Sequence, residues 1–152
     1  MARTLEIVGE RWTLLVVRDL LFGVRRFNDL QRHLDIPKAV LAARLATLEA
    51  QGLVERDARR ELTLTERGRD LWPAVHALMA WGERHCNDAG PRRLFVHARC
   101  GTTLDHLGAC PACGREPGPE ELETRSGPGA EPLRDDAVSV KLREPHRLLA
   151  PL

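Results

Sequence analysis

The chain has 152 residues, 43% of them hydrophobic, with 23 Lys and Arg against 22 Asp and Glu, enough for one domain with a proper core plus an appendage but not for two full-sized domains. No apolar run approaches the roughly 20 residues that span a bilayer, and no charged region followed by an apolar signal core opens the sequence, so a cytoplasmic protein without membrane contact is expected. The net charge of +1 conceals polarity: Arg25 to Arg69 holds ten basic and seven acidic residues, Gly114 to Asp136 three and seven. The basic block suits a phosphate-facing surface, although solvated helices look the same.

In chain order, Leu5, Val8 and Trp12 lie three and four apart and predict a first helix. Thr13 is expected to cap a second, Leu14 to Leu21, which is apolar on every side and therefore buried. Gly23 ends it. Phe27, Leu30 and Leu34 then mark the inner face of a short helix whose outer face carries Asn28, Asp29, Gln31 and Arg32. Asp35 and Ile36 form a turn, Pro37 suits the first position of the next helix, and Leu41, Leu45 and Leu48 give its core stripe down to Gly52. At about 100° per residue that stripe turns Ala39, Ala43, Ala46 and Thr47 outward, with Lys38 and Ala42 to one side and Arg44 at the boundary. Leu53, Val54 and Arg56, then Glu61 to Leu64, predict a short hairpin with Asp57, Ala58, Arg59 and Arg60 at its tip. Thr65 is expected to cap one long helix to about His85, where Leu71, Val75 and Leu78 share a stripe and Trp72, Met79 and Trp81 widen the apolar surface beyond what so small a core needs.

This order is that of a winged helix-turn-helix, a mainly α fold with a small β-hairpin (α+β). The arrangement presents one helix and one hairpin on the same side of a small core, the geometry that enters a DNA groove and touches flanking phosphates. Double-stranded DNA is the expected partner, and the candidate contacts are Arg25, Arg26, Lys38, Ala39, Ala42, Ala43, Arg44, Thr47, Arg59 and Arg60. Alanines meet thymine methyl groups but form no bidentate hydrogen bonds, so shape and flanking contacts should carry more of the specificity than direct readout. Arg44 has two readings, a DNA contact or an internal ion pair, and Arg59 and Arg60 would also suit an ordinary exposed turn.

Arg11-Trp12-Thr13-Leu14-Leu15, Arg18-Asp19-Leu20, Arg25-Arg26-Phe27-Asn28-Asp29-Leu30, Val40-Leu41, Arg44-Leu45, Gly52-Leu53-Val54-Glu55-Arg56 and Leu64-Thr65 followed by Gly68 resemble the HxlR family of bacterial transcriptional regulators, over residues 2–86. The resemblance implies a homodimer on a partly palindromic operator, with the first and last helices in contact. That places Leu5 and Val8 beside Leu71, Trp72, Val75, Leu78 and Met79 at a dimer interface, the alternative being that the appended segment covers the last helix within one subunit. Members commonly carry a cysteine a few residues before the first helix, sometimes used to sense oxidants or electrophiles; no cysteine precedes Cys86 here.

The second motif is His97-x-x-Cys100-Gly101 with Cys110-Pro111-Ala112-Cys113-Gly114. Two ligand pairs, each with two intervening residues, let both side chains of a turn face one ion, and the glycines permit the tight backbone around the thiolates. A closed Cys₃His set of this kind suits one structural Zn²⁺ per chain in a small knuckle or ribbon, with His106 as the alternative fourth ligand to His97. A Cys110/Cys113 redox pair and an incidental cluster are the competing readings. Four protein ligands would leave no place for a metal-bound water, and no nucleophile, HExxH or phosphate-loop signature occurs; His33, His76, His85 and His146 stand alone, so no enzymatic activity is expected.

The expected organisation is a DNA-binding and dimerisation domain at 1–86, a zinc module at 92–116, and a Pro/Gly-rich acidic tail at 117–152, mobile or loosely docked, with a possible strand at 138–142. The leading function is sequence-specific transcriptional regulation. The alternatives are a protein-interaction adaptor built on the same fold and a metal- or thiol-responsive regulator in which the Cys/His cluster is the sensor.

Overall fold

The computed structural model describes residues 1–152, and the chain is arranged around its second helix. After α1 (Ala2–Val8), helix α2 (Thr13–Leu21) buries Val16, Val17, Leu20 and Leu21. Each such side chain removed from water contributes about 1.5–3 kcal/mol. The expected Thr13 cap is corrected: the chain enters α2 through a helical turn at Trp12 (φ −89°, ψ −17°) rather than the extended backbone a capping side chain needs, and Thr13 is the first helical residue. Asp19 is wholly buried in α2 and receives the Arg18 guanidinium at 2.7 Å.

Helix α3 (Phe27–Leu34) buries Leu30 and Leu34 and closes on Asp35, whose left-handed φ of 53° turns the chain through the buried Ile36. Pro37 has extended backbone (ψ 134°) and stands just ahead of α4 (Lys38–Ala50) instead of in its first turn. Leu41, Leu45 and Leu48, all on one face by helical spacing, are buried. Strands β1 (Val54–Arg56) and β2 (Leu62–Leu64) form the antiparallel wing, Val54 opposite Leu64 and Arg56 opposite Leu62. The Leu62 N–H donates to the Arg25 carbonyl, which ties the wing to the segment before α3.

The single helix expected from Thr65 to His85 is two. Thr65 caps only the short α5 (Glu66–Arg69), accepting from the Gly68 N–H at 3.1 Å, and α6 (Trp72–His85) starts afresh. Pro73 explains the break, because a proline offers no N–H to the carbonyl four residues back and its ring collides with it.

The C-terminal half departs most from the sequence expectation. Strands β3 (Arg93–His97), β4 (Thr102–Thr103), β5 (Leu122–Ser126) and β6 (His146–Arg147) form one antiparallel sheet in the order β4-β3-β5-β6. Residues 117–152 are therefore not a loose tail: β5 lies beside β3 with Phe95 opposite Thr124, and β6 follows on its far edge. The strand expected at 138–142 is instead helix α7 (Ala137–Lys141), with the Asp136 carboxylate accepting from the Ser139 N–H at 3.0 Å. Val138 and Leu142 are buried while Val140 is exposed, the pattern of a helical i, i+4 pair; a strand would put all three on one face. Burial opposes ionisation of Asp136, but hydrogen bonds from Ser139 and His33 outweigh it and hold the carboxyl well below the usual range. His33 of α3 thus joins α7, its Nδ1 lying 3.1 Å from Asp136.

The last residues return to α2. Leu148 is buried, the Leu149 N–H donates to the Leu21 carbonyl, the Leu152 N–H donates to the Gly23 carbonyl, and the Arg25 guanidinium donates to the Leu149 carbonyl at 2.9 Å. Gly23 permits this approach: its φ is +87°, and a Cβ there would lie 1.7 Å from the Ala150 carbonyl oxygen. One continuous hydrophobic core consequently runs from Val16 through Phe95 and Leu122 to Leu148. No helix is long and apolar enough to cross a membrane.

Candidate DNA interface and metal centre

Helix α4 presents the bland outer face its pattern predicts: Lys38, Ala39, Ala42, Ala43 and Ala46 are exposed. Thr47 is half-buried and its hydroxyl donates back to the Ala43 carbonyl at 3.1 Å. Arg44 lies 3.7 Å from Glu10, so the internal ion pair is the arrangement it adopts in the DNA-free chain. At the wing tip, Asp57 accepts from the N–H groups of Arg59 and Glu61 at 2.9 Å each, and Arg60 takes a left-handed φ of 61°. This rigid turn leaves the Arg59 and Arg60 side chains exposed and without an ion pair, as is Lys38. Arg26 is exposed beside Glu61 at 3.3 Å, whereas Arg25 points inward to Leu149. The candidate set thus divides into an exposed group and Arg25, Arg44 and Thr47, which are engaged within the chain.

The candidate dimer residues divide similarly. Trp72 and Val75 are buried within the chain, Trp72 packing edge-on against Phe95 with centroids 4.9 Å apart, and Val8 is buried too. All three side chains are covered within the subunit, which corrects their placement in a subunit interface. Leu71 and Met79 are partly buried, while Leu5, Leu78 and Trp81 stay more than half exposed. Leu78 and Trp81 are one helical turn apart and share a face of α6.

The turn after β3 and the turn around Cys110 bring His97, Cys100, Cys110 and Cys113 together, with all ligand atoms within 4.8 Å of one another. Cys100 Sγ lies 3.5 Å from Cys110 Sγ and 3.6 Å from Cys113 Sγ; His97 Nδ1 lies 3.3 Å from Cys100 Sγ and 3.4 Å from Cys113 Sγ. A tetrahedron with metal–sulfur bonds of about 2.3 Å and metal–nitrogen bonds of about 2.05 Å has edges of about 3.8 and 3.6 Å. The three edges that meet at Cys100 and the His97–Cys113 edge come within about 0.3 Å of those lengths, and the other two stay within 4.8 Å. His106 is exposed and lies outside the cluster.

Backbone geometry supports the cluster. Gly101 and Gly114 take left-handed φ of 72° and 63° directly after a cysteine, and the Cys113 and Gly114 N–H groups donate to the Cys110 carbonyl. Without a cation the thiols titrate apart: hydrogen bonds from Thr102 hold Cys100 down at about 6, and hydrogen bonding and repulsion from Cys100 and Cys110 push Cys113 up to about 11. A sulfur trio this close accepts several negative charges only with a compensating ion. No motif or spacing points to Thr102, Arg115 or Glu121, which surround the cluster. Arg115 pairs with Glu121 at 2.6 Å and approaches His97 Nε2 at 3.4 Å. Arg115 and Glu121 stand six residues apart in the chain, and the Ala98 N–H donating to the Glu121 carbonyl brings them beside the turn after β3, a long-range contact that no local pattern encodes.

A family profile described as HxlR-like helix-turn-helix matches residues 7–89. An HTH-type transcriptional regulator of Mycobacterium tuberculosis, Rv3095, is 42% identical over 136 residues, 85% of this chain and 86% of that protein. Among solved structures, the candidate transcription factor PA1607 is 34% identical with a TM-score of 0.62, over 76% of this chain and 85% of that one. The candidate transcription factor PA1374 from Pseudomonas aeruginosa is 34% identical with a TM-score of 0.51, over 93% of this chain and 96% of that one. The chain belongs to the HxlR family of helix-turn-helix, DNA-binding transcriptional regulators.

Proposed function

We propose that this regulator works as a homodimer on a partly palindromic operator, with α4 in the major groove, the wing on flanking phosphates, and specificity carried more by DNA shape than by base contacts. The observation that supports this reading most is the combination of an alanine-covered α4 face with the unpaired cations Lys38, Arg59 and Arg60. Small side chains let a helix approach the groove closely but read little, while each phosphate contact contributes about 0.9 to the slope of log affinity against log salt. Among the exposed apolar side chains, Leu5 of α1 and Leu78 and Trp81 of α6 are the ones placed on the first and last helices of this region, where a second copy would meet them.

The test is fluorescence anisotropy against DNA from upstream of the protein's own gene, with a shuffled duplex as competitor. The expected preference is about a hundredfold or more at physiological salt. The Arg59→Ala/Arg60→Ala pair should weaken both duplexes and lower the salt slope by about 2. Equal weak binding to both duplexes at every promoter tested would overturn the operator reading in favour of a protein adaptor. Sedimentation of Trp81→Asp should show monomer where the parent shows dimer.

The fit of the four ligand atoms to a tetrahedron further supports one structural Zn²⁺ per chain, held by His97, Cys100, Cys110 and Cys113. A ligand set of three thiolates and one imidazole suits Zn²⁺ chemically and leaves no open position. Metal analysis of the purified protein should give one zinc per chain, and chelation should unfold the surrounding turns. Zinc loss that leaves the fold intact and changes operator affinity would instead make the cluster a sensor.

A further inference from the structure

Between the core of the DNA-binding region and the segment following β5 lies a cavity of about 490 Å³, a volume typical of small-molecule sites. Five arginines line it, Arg18, Arg92, Arg93, Arg134 and Arg143. Only two acids, Glu83 and Glu131, share the wall. Arg18 is paired with Asp19 at 2.7 Å and Arg134 with Asp136 at 3.3 Å. Arg93 and Arg143 have no such partner: their guanidiniums donate to the backbone carbonyls of Leu142 and Arg134.

Arg93 is the anomaly. It is largely withdrawn from solvent, and its guanidinium stands 5.9 Å from the Phe22 ring centroid, as does that of Arg18. Two cations on one aromatic ring repel each other, and burial with the Arg18 charge pushes the Arg93 pKa down. A backbone carbonyl takes one of the five N–H donors of a guanidinium and supplies no counter-charge. Phe22, Met79 and Leu142 give the same cavity an apolar side.

We propose that this cavity binds a small amphipathic carboxylate, its acid group held by Arg93 and Arg143 and its apolar or aromatic body against Phe22 and Met79. A carboxylate matches the planar guanidinium fork and provides the charge that Arg93 lacks. The apolar side favours a ligand with a hydrocarbon body over a bare inorganic anion. Residues from both ends of the sequence close the site, and His33 of α3 stands on its wall, so an occupant touches the helix that precedes α4. Binding itself does not depend on the operator reading and is tested without DNA.

The test is calorimetric titration of the full-length, zinc-loaded protein with benzoate and with octanoate, using benzamide as the neutral counterpart of benzoate. Saturable binding of at least one acid with one site per chain is expected, with benzamide at least roughly tenfold weaker than benzoate. Arg143→Gln, at an exposed position, should retain the parent melting temperature and weaken the acid about tenfold; Arg93→Gln should weaken it further if folded. Absence of saturable binding by both acids at millimolar concentration, equal binding of benzamide and benzoate, or unchanged affinity in a folded Arg143→Gln protein would each overturn the proposal.

Discussion

Residues 13–75 and residues 93–126 hold their shapes by different means. The first region buries a leucine set, Leu21, Leu30, Leu41, Leu45, Leu48 and Leu62, each almost wholly removed from water. The second has few large buried side chains of its own, chiefly Phe95 and Leu122, and gathers three sulfurs and an imidazole in their place. The contrast teaches that burial scales with the apolar surface a segment owns, whereas a segment short of it needs either a cross-linking ligand or a neighbour's core.

The largest expected effect separates the two regions. Cys110→Ser removes the buried thiol of the ligand set; zinc held by such a site contributes on the order of 10 kcal/mol to folding. On the proposed zinc reading, the variant should bind no metal and melt in the C-terminal sheet first, seen by metal analysis and by hydrogen exchange of β3 and β5. A variant that keeps its melting temperature in chelator would erase the contrast. Leu45→Ala should cost about 2–5 kcal/mol through the cavity it leaves, with zinc content unchanged. Denaturant unfolding followed beside metal release checks both halves of that expectation.

Next comes the joint between the regions. Gly23→Ala places a Cβ at positive φ against the Ala150 carbonyl and should cost roughly 1–3 kcal/mol, with faster exchange of the Leu149 and Leu152 amides. If those amides exchange freely in the parent protein, the C-terminal residues are not part of the common core.

The smallest effect concerns acid. His76 packs against both Trp72 and Phe95, with centroids 5.3 and 5.5 Å away, and its Nδ1 has no hydrogen-bond partner. Burial lowers its pKa, opposed in part by Asp105. The unfolded chain takes up a proton near the ordinary value of 6.5 and the folded chain does not, so neutral His76 contributes fully above that pH and progressively less as pH falls towards its lowered value. His76→Leu should flatten the dependence of melting temperature on pH between about 7 and 5 relative to the parent, by about 1 kcal/mol or less. The difference between the two proteins cancels acid protonation of the shared cysteines; a slope unchanged by the substitution would place the acid sensitivity elsewhere.

What was legible in the sequence follows the same division. Leu41, Leu45 and Leu48 announce α4 because helical periodicity is a local signal, and the His97/Cys100 and Cys110/Cys113 spacings announce a ligand cluster because a turn encodes them. The pairing of β5 with β3, the docking of Leu148 to Leu152 on α2, and the Arg93 cavity were not legible, since each joins residues whose separation along the chain leaves no periodic trace. Val138, Val140 and Leu142 show the ambiguity at its smallest. Alternation and a one-turn helical pair share two of the three positions, and only the exposed Val140 decides. Pro73 was the opposite case, a local signal that a continuous apolar stripe on both sides had masked.

The bond from Arg25 to Leu149 spans 124 residues, which gives the protein a clock as well as a clasp. At synthesis rates of about 5–20 residues per second, the backbone around Gly23 waits on the order of ten seconds for the segment that covers it. During that interval the nascent helices carry an open flank, and residues 148–152 complete a surface that the earlier helices do not finish alone.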